Sequence, residues 1–225
     1  MAIAFDAAAS SVSAGFAAGA SYTFNHTVAA GSNRAIVLGA ALWQDVAGSG
    51  TLSTCSYAAA AATSKIVLTN TQMRAELWVL VAPATGTNTV SFTVTGNTDG
   101  RKFFAGSFTG VDQTTPTEAT QTSSTSSGAP SLSITSITDN AWLVDMVSKF
   151  GTTALTVGAG QTSMFNNSVG SITAAASYEG PKTPAGAVTM NWTGSSANDC
   201  AQVAIALKAA AAAANQGAGF LMAFM

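Results

Sequence analysis

Charged side chains are scarce in this sequence: 8 Lys and Arg and 10 Asp and Glu make up 8% of its 225 residues. Ordinary globular chains carry roughly a quarter. The basic residues form no cluster and the formal net charge is −2, which excludes the electrostatic footprint of a nucleic-acid-binding protein. Hydrophobic residues make up 48% of the chain, which argues against intrinsic disorder. We therefore expect a folded protein whose surface is either covered by other protein or hydrated through small hydroxyl side chains.

Residues that carry chemistry are equally few. The only histidine, His26, falls on the apolar face of SYTFNHTV, which is typical of a packed histidine rather than a catalytic base. No Cys/His spacing predicts a metal site, and no G-x-S-x-G motif accompanies the serines. Glu76 and Asp145 lie within apolar strands, and we interpret them as facing solvent or a neighbouring subunit. The sequence predicts no enzyme, no metal and no cofactor.

Long apolar runs are also missing. No segment reaches the ~18 consecutive apolar residues that a membrane helix needs. The opening residues MAIAFDAAASSVSAGF lack both the basic residues and the continuous apolar run of a standard secretory signal peptide. We therefore expect neither a membrane partner nor a signal peptide in this sequence.

Two cysteines, Cys55 and Cys200, allow one disulfide at most. Free cysteine is commonly buried, so we favour two small buried hydrophobic residues. A disulfide between Cys55 and Cys200 is the alternative, because sequence does not supply the distance between them.

Alternation with a period of two is the pattern that the sequence does contain. It is clearest over Arg74–Val111, where Leu77, Val79 and Val81 alternate with their neighbours. The same period returns over Val90–Val94. Because successive strand side chains point to opposite faces, this stretch predicts three strands joined by a tight connection and a polar loop.

Similar patterns predict about a dozen short strands and no amphipathic helix. Leu52–Thr63 is ambiguous, since Ala favours helix whereas the flanking residues suit a strand or hairpin. The sequence therefore predicts an all-β, antiparallel β-sandwich of jelly-roll-like type. The other predicted strands are Ile3–Asp6, Ser21–Val28, Arg34–Trp43, Lys65–Thr69, Ser131–Ile137, Trp142–Phe150, Thr162–Phe165, Ser171–Tyr178, Val188–Trp192 and Ala201–Lys208.

The chain contains a faint internal repeat. Pro83 and Pro181 are 98 residues apart, and so are Gly96 and Gly194. The Ser/Thr-rich stretch 112–130 predicts a surface connection between half one (1–111) and half two (131–208). We prefer one sandwich shared by both halves over two separate sandwiches, because each half is too short to close a generous core.

Residues 209–225 form a tail of six alanines, a Gly-containing spacer and an apolar end. Left in water, that end would be an exposed sticky patch. Two interpretations are equally supported: the tail completes the chain's own core, or it is a docking peptide that binds a neighbouring subunit. The candidate partner-binding residues are Phe220, Leu221, Met222, Phe224 and Met225.

The aromatic residues provide one further candidate site. Trp43, Trp78, Trp142, Trp192 and Tyr178 would form a sugar-stacking platform if several were exposed on one face. All four tryptophans lie in predicted strands, where packing in the core is the usual outcome. We favour core packing over a ligand platform.

Three segments resemble a known group of proteins: TFNHTVAAGSNRAIVLGAAL, RAELWVLVAPATGTNTVSFTVTG and FAGSFTGVDQTTP. They are similar to uncharacterised β-sandwich proteins of tailed bacteriophages and of bacterial genomes that carry phage-like genes. The resemblance covers the first half well and the second half loosely, in strand and turn patterns only. It implies a virion component, as a head decoration, fibre or tail-associated protein, whose partners are itself and other virion proteins such as the major capsid protein.

Two other functional hypotheses stay open. A carbohydrate-binding module would hold a cell-surface glycan through exposed aromatic residues and Asn/Asp loops. An extracellular filament or surface-layer subunit would share the low charge and the Ser/Thr richness. The leading hypothesis is a non-enzymatic structural protein of a phage particle that acts as a homo-oligomer.

Overall fold

Strands account for all the regular secondary structure in the part of the chain that the computed structural model describes, which is residues 1–14, 21–44, 46, 49–168, 171–194 and 198–212. The predicted all-β, antiparallel sandwich class is confirmed. The strands are β1 (Ala4–Ala14), β2 (Ser21–Val28), β3 (Ala35–Gln44), β4 (Thr51–Tyr57), β5 (Ala60–Ala61), β6 (Thr63–Asn70), β7 (Met73–Val81), β8 (Gly86–Thr95), β9 (Thr98–Thr109), β10 (Thr117–Thr125), β11 (Ser131–Thr135), β12 (Ala141–Phe150), β13 (Thr156–Val157), β14 (Thr162–Asn167), β15 (Ile172–Lys182), β16 (Ala187–Thr193) and β17 (Cys200–Leu207).

The described strands form four sheets, two from each half. Inner sheet one has the strand order β1-β9-β3-β7-β6, and outer sheet one has the order β2-β8-β4-β5. Inner sheet two has the order β10-β17-β12-β15-β14, and outer sheet two has the order β11-β16-β13. Each half therefore builds its own pair of sheets, where the sequence predicted one pair shared by both halves.

Three hydrophobic layers hold the four sheets in a stack. Val37, Leu77 and Phe104 of inner sheet one pack with Val144 and Val203 of inner sheet two in the largest cluster. Alternate residues of inner sheet one pack against outer sheet one, and alternate residues of inner sheet two pack against outer sheet two. Because the inner sheets bury both faces, their strands read as nearly continuous apolar runs. The shared middle layer explains how halves too short for a generous core are stabilised.

The Ser/Thr-rich stretch does more than connect the halves. Thr117–Thr125 forms β10, which pairs with β17 along its length. The predicted irregular connection over 112–130 is therefore wrong for these residues, although they do lie at the surface as expected. Threonine suits a half-exposed strand, and the missing apolar alternation reflects the position of β10 at the edge of the sheet.

Two further segments differ from their predictions or resolve an ambiguity. β1 continues to Ala14, where the sequence predicted a strand that ends at Asp6, because pairing with β9 extends it. The ambiguous stretch Leu52–Thr63 forms the hairpin β4–β5, which turns through Ala58 and Ala59 at positive φ. Tertiary pairing overrides the helical preference of alanine in both places.

Candidate functional site

Glu76 lies in β7 on the face that points toward outer sheet one, and it is 2% exposed. Its carboxylate accepts hydrogen bonds from Arg74 Nε and from Trp78 Nε1, the latter at 3.1 Å. The interpretation that Glu76 faces solvent or a neighbouring subunit is therefore wrong. Pairing with Arg74 and Trp78 satisfies the charge inside the fold, as a buried carboxylate requires.

Asp145 lies in β12 and is fully buried against outer sheet two. Oδ1 accepts hydrogen bonds from Ser177 N at 2.9 Å and Ser177 Oγ at 2.6 Å, and Oδ2 accepts from Trp192 Nε1 at 2.7 Å and Gln202 Nε2 at 2.9 Å. Burial raises the pKa of Asp145, and the bonds from Ser177, Trp192 and Gln202 oppose that rise. The solvent-facing interpretation is wrong for Asp145 too, because four donors replace its water.

The polar network around Asp145 is particular to half two. The strand pairings make β3 of half one equivalent to β12, and β9 equivalent to β17. At the equivalent positions, half one has Leu38 in place of Asp145 and Phe103 in place of Gln202. A general base needs a lone pair within reach of its substrate, whereas both oxygens of Asp145 are occupied inside a closed core. The network therefore specifies the packing of half two.

Glu76 and Asp145 do not form a pair. Glu76 points toward outer sheet one and Asp145 toward outer sheet two, so both inner sheets lie between them. Hydrolysis of a glycosidic bond by two carboxyl groups requires them about 5 to 10 Å apart across the substrate. These two acids do not provide that geometry.

His26 is buried beneath β2, as its place on the apolar face predicted. Its Nε2 lies 3.0 Å from Ser107 Oγ, and Ser107 Oγ donates to Asp6 Oδ2 at 2.8 Å. Because the serine proton points to Asp6, Nε2 donates to the serine, which is opposite to the direction that activates a nucleophile. Burial lowers the pKa of His26, and the Asp6 carboxylate opposes the shift. The three side chains form a structural chain of hydrogen bonds.

Two bulge residues were not singled out by the sequence analysis. Asp6 lies at a bulge in β1 and accepts a hydrogen bond from Ala29 N at 2.9 Å. Glu118 lies at the equivalent bulge in β10 and accepts from Ile137 N at 2.8 Å and Thr138 N at 3.1 Å. Each carboxylate holds the loop after the first strand of its outer sheet. The sequence repeat is too faint there to reveal this equivalence.

Buried lysines were not singled out either. Lys102 in β9 is 3% exposed and donates from Nζ to Asn167 Oδ1 of β14, so this bond joins the two halves. Burial lowers the pKa of Lys102 to about 8. Lys149 in β12 is fully buried, and burial lowers its pKa as well. Each lysine occurs singly inside a strand, so no sequence pattern marks it.

The tryptophans are distributed over different layers and do not form a platform. Trp192 is fully buried beneath outer sheet two, and Trp142 is 8% exposed in the middle layer. Trp78 packs against the layer of outer sheet one, and Trp43 against the middle layer. Tyr178 is stacked on Trp142 with ring centroids 5.2 Å apart. The prediction of core packing is confirmed.

Cys55 and Cys200 are free thiols buried in different cores. The alternative of a disulfide between them is wrong, because Cys55 lies beneath outer sheet one and Cys200 beneath outer sheet two. Burial raises the pKa of Cys200 to about 12 and raises the pKa of Cys55 still further. The favoured interpretation, two small buried hydrophobic residues, is confirmed.

The tail leaves the sandwich beside an open cleft. The Met1 amino group donates to Ala210 O at 2.7 Å, and Lys208 Nζ lies 3.8 Å from the Asp112 carboxylate. These residues help to line the cleft, whose volume is about 400 Å³. Phe220, Leu221, Met222, Phe224 and Met225, the candidate partner-binding residues, lie outside the described part of the chain.

The outward faces of both outer sheets carry uncharged hydroxyl and amide side chains. Hydroxyls pair across neighbouring strands, with Thr27 Oγ1 2.7 Å from Thr87 Oγ1 and Thr51 Oγ1 2.8 Å from Thr95 Oγ1. The edge strand β10 likewise exposes small hydroxyl side chains. Exposed members of the two faces include Ser21, Thr23, Asn25, Thr27, Thr87 and Thr89 of outer sheet one and Ser131, Ser133, Thr135 and Thr189 of outer sheet two.

Comparisons with known proteins found no relative of this chain. The chain matches no protein-family model, no curated protein and no solved structure at a significant level. Among the described residues, no three His, Cys, Asp or Glu side chains are grouped as a metal site would require. No helix within the described ranges is long and apolar enough to cross a membrane.

Proposed function

We propose that this chain is a non-enzymatic structural subunit of a bacteriophage particle, of the head-decoration, fibre or tail-associated type, and that it acts by oligomeric assembly. The observation that carries the proposal is the distribution of its polar groups. Glu76, Asp145 and His26 are hydrogen-bonded in the interior, whereas the broad outer faces present small uncharged hydroxyls. Such faces suit contact with other protein, because little charge is desolvated when they are covered.

The edge strands support the same function. β1 and β10 are long edges whose only ionised residues, Asp6 and Glu118, are turned to hydrogen bonds within the chain. Soluble monomers usually protect such edges with several charges, with Pro or with bulges, whereas each of these edges has one bulge with one inward-pointing carboxylate, and its other residues are uncharged. Edges with so little charge are suited to a protein whose neighbours cover them in an assembly.

The C-terminal peptide is the proposed locking element. Its residues from Phe220 to Met225 are wholly apolar side chains after a Gly-containing spacer, and aromatic and Met residues are enriched in interface cores. In this proposal, the peptide of one subunit binds a neighbouring subunit or another virion protein. The partners are the chain itself and the capsid or tail protein on which it assembles.

The first test measures mass in solution by light scattering, with and without Gly217–Met225. We expect the full chain to be an oligomer and the truncated chain to be a folded monomer. The matched control keeps the length and changes Phe220→Ser, Leu221→Ser and Phe224→Ser together, which removes the apolar contact without removing the backbone. An oligomer that survives both changes, or a truncated chain that no longer folds, contradicts the locking role.

A second test addresses the particle itself. We expect particles purified on a density gradient from the producing cells to contain the chain and to be labelled by antibodies against it. Particles that lack the chain contradict the virion assignment. If the protein is instead a monomer that binds an immobilised glycan, with a change in the fluorescence of the half-buried Trp43, the carbohydrate-binding alternative replaces it.

A further inference from the structure

Apart from the two-residue strand β5, which has no counterpart in half two, the described strands of the two halves repeat one another in order. In each half the first and last strands pair at one side of the inner sheet, and the third strand lies at its centre. Asn33 before β3 and Asn140 before β12 both adopt positive φ, at 54° and 64°. Gly96 after β8 and Gly194 after β16 also adopt positive φ, so the repeat in the sequence marks equivalent turns.

The inner sheets face each other with their orders reversed. The edge strand β1 contacts β14, and the opposite edge β6 contacts β10. Because β1 is equivalent to β10 and β6 is equivalent to β14, the two edge contacts are the same contact made twice. This reciprocity defines an isologous interface, the type formed by two-fold symmetric dimers.

Two aromatic residues mark the pseudo-two-fold axis. Trp43 pairs with Met73 in inner sheet one, as Phe150 pairs with Ile172 in inner sheet two, so Trp43 and Phe150 are equivalent. Their rings meet edge to face with centroids 5.2 Å apart. A residue touches its own equivalent only on the symmetry axis, so the axis passes between these rings.

We propose that the inner sheet of each half is a self-recognition surface, and that the chain is a covalently linked dimer of one repeat. The partner that this surface fits is a second copy of the same repeat. Its face is apolar and formed by alternate strand residues, Leu77 among them, that are buried only by the opposite half. The inference concerns the interior of the chain and does not depend on the proposed virion role.

We expect pairing between unlike halves to be stronger than pairing between like halves, because half two carries interface aromatic residues that half one lacks. Tyr178 stacks on Trp142 and on Phe5 of the other half, at centroid distances of 5.2 and 4.7 Å. The equivalents of Trp142 and Tyr178 in half one are Ala35 and Val79, which do not form such a stack. Aromatic pairs contribute about 1 kcal/mol beyond area, so we expect like pairs to be roughly fivefold rarer than mixed pairs.

The test uses the complete chain with a protease site inserted between Thr114 and Thr115, in the exposed link between β9 and β10. After cleavage we expect the halves to stay together and to unfold at a temperature that now depends on concentration. In native mass spectrometry of the cleaved protein, we expect a major mixed pair and minor pairs of like halves. Dissociation into folded monomers, aggregation on cleavage, or mixed pairs without any like pairs overturns the proposal.

A matched pair of substitutions locates the surface. Leu77→Asp, on the inner face, is expected to separate the cleaved halves, whereas Thr89→Asp, on the exposed face of outer sheet one, is expected to leave them paired. Before cleavage, the Leu77→Asp and Thr89→Asp proteins are each compared with the unsubstituted protein by circular dichroism, to show that both variants contain folded sheets. Separation by Thr89→Asp, or persistent pairing with Leu77→Asp, contradicts the assignment of the inner sheet.

Discussion

Asp145 shows how one buried charge specifies a core. Asp145→Asn places an amide N–H where Asp145 accepts bonds from Ser177, Trp192 and Gln202. Because one donor then faces another donor in a closed core, we expect the variant to lose about 3 kcal/mol of unfolding free energy. Urea unfolding followed by tryptophan fluorescence measures the loss.

The matched control for Asp145 is Asp112→Asn. Asp112 is a surface residue whose Oδ1 accepts from the amides of Thr114 and Thr115, and asparagine keeps that acceptor. The control should change stability by less than about 0.5 kcal/mol. Equal effects of the two substitutions would show that the network around Asp145 is unimportant to the fold.

His26 gives a prediction about pH. Its pKa in the folded chain lies below 6.5, because burial disfavours the imidazolium. The unfolded chain therefore binds the proton more tightly, and stability is lost as pH falls from 6.5 through the lowered pKa. As the only histidine, it shows a single imidazole titration by proton NMR, and we expect the midpoint below 6.5.

The variant His26→Gln is the control for that pH dependence. Glutamine keeps a side-chain N–H for Ser107 but does not titrate, so the loss of stability in this window should disappear. A midpoint at or above 6.5, or an unchanged stability profile in His26→Gln, contradicts the role of buried His26.

Single residues also show the limit of sequence reasoning. The apolar face of β2 was sufficient to predict that His26 is buried, and the apolar strands around Glu76 and Asp145 identified both acids. Their orientation was predicted wrongly, because the donors that satisfy Asp145 lie 32 to 57 residues away in the chain. Alternation gives the face of a strand but not the partners that meet it across a core.

At the scale of elements, Gly96 and Gly194 occupy turns that the repeat shares, and neither turn leaves room for a Cβ. Gly96 follows β8 at φ 74°, and a Cβ there would lie 1.7 Å from Ser49 O. Gly86 has a similar φ of 89° but open space around it. We expect Gly96→Ala to lose more than about 2 kcal/mol and Gly86→Ala about 1 kcal/mol, which is the strain of φ alone. Thermal unfolding of both variants measures the difference. Equal losses of stability in Gly96→Ala and Gly86→Ala would contradict the close approach of residue 96 to Ser49 O.

The sequence predicted correctly the strands that carry an apolar pattern, whether that pattern alternates, as in β2, or is nearly continuous because both faces are buried, as in β3, β12 and β17. β2 was predicted with its observed bounds, Ser21–Val28, since its buried and exposed residues alternate. β10 was missed because Thr117–Thr125 contains few apolar residues and has an edge position, where pairing with β17 rather than burial forms the strand. Edge strands of small polar residues leave no periodic signal, so their presence depends on a partner elsewhere in the chain.

At the scale of the whole molecule, the middle layer should make the two halves unfold together. Leu77 is fully buried there against the opposite half, and Leu77→Ala should lose about 3 kcal/mol by leaving a cavity. Because both halves bury their inner sheets in this layer, we expect hydrogen exchange to accelerate equally in β9 and β17. Ile134→Ala, beneath outer sheet two, tests the same unit from a core that only half two contains, and in a single cooperative unit it too should accelerate exchange in both β9 and β17. If Leu77→Ala accelerates exchange in β9 and leaves β17 protected, the halves are independent domains, and the single cooperative unit inferred from the four-layer stack is wrong.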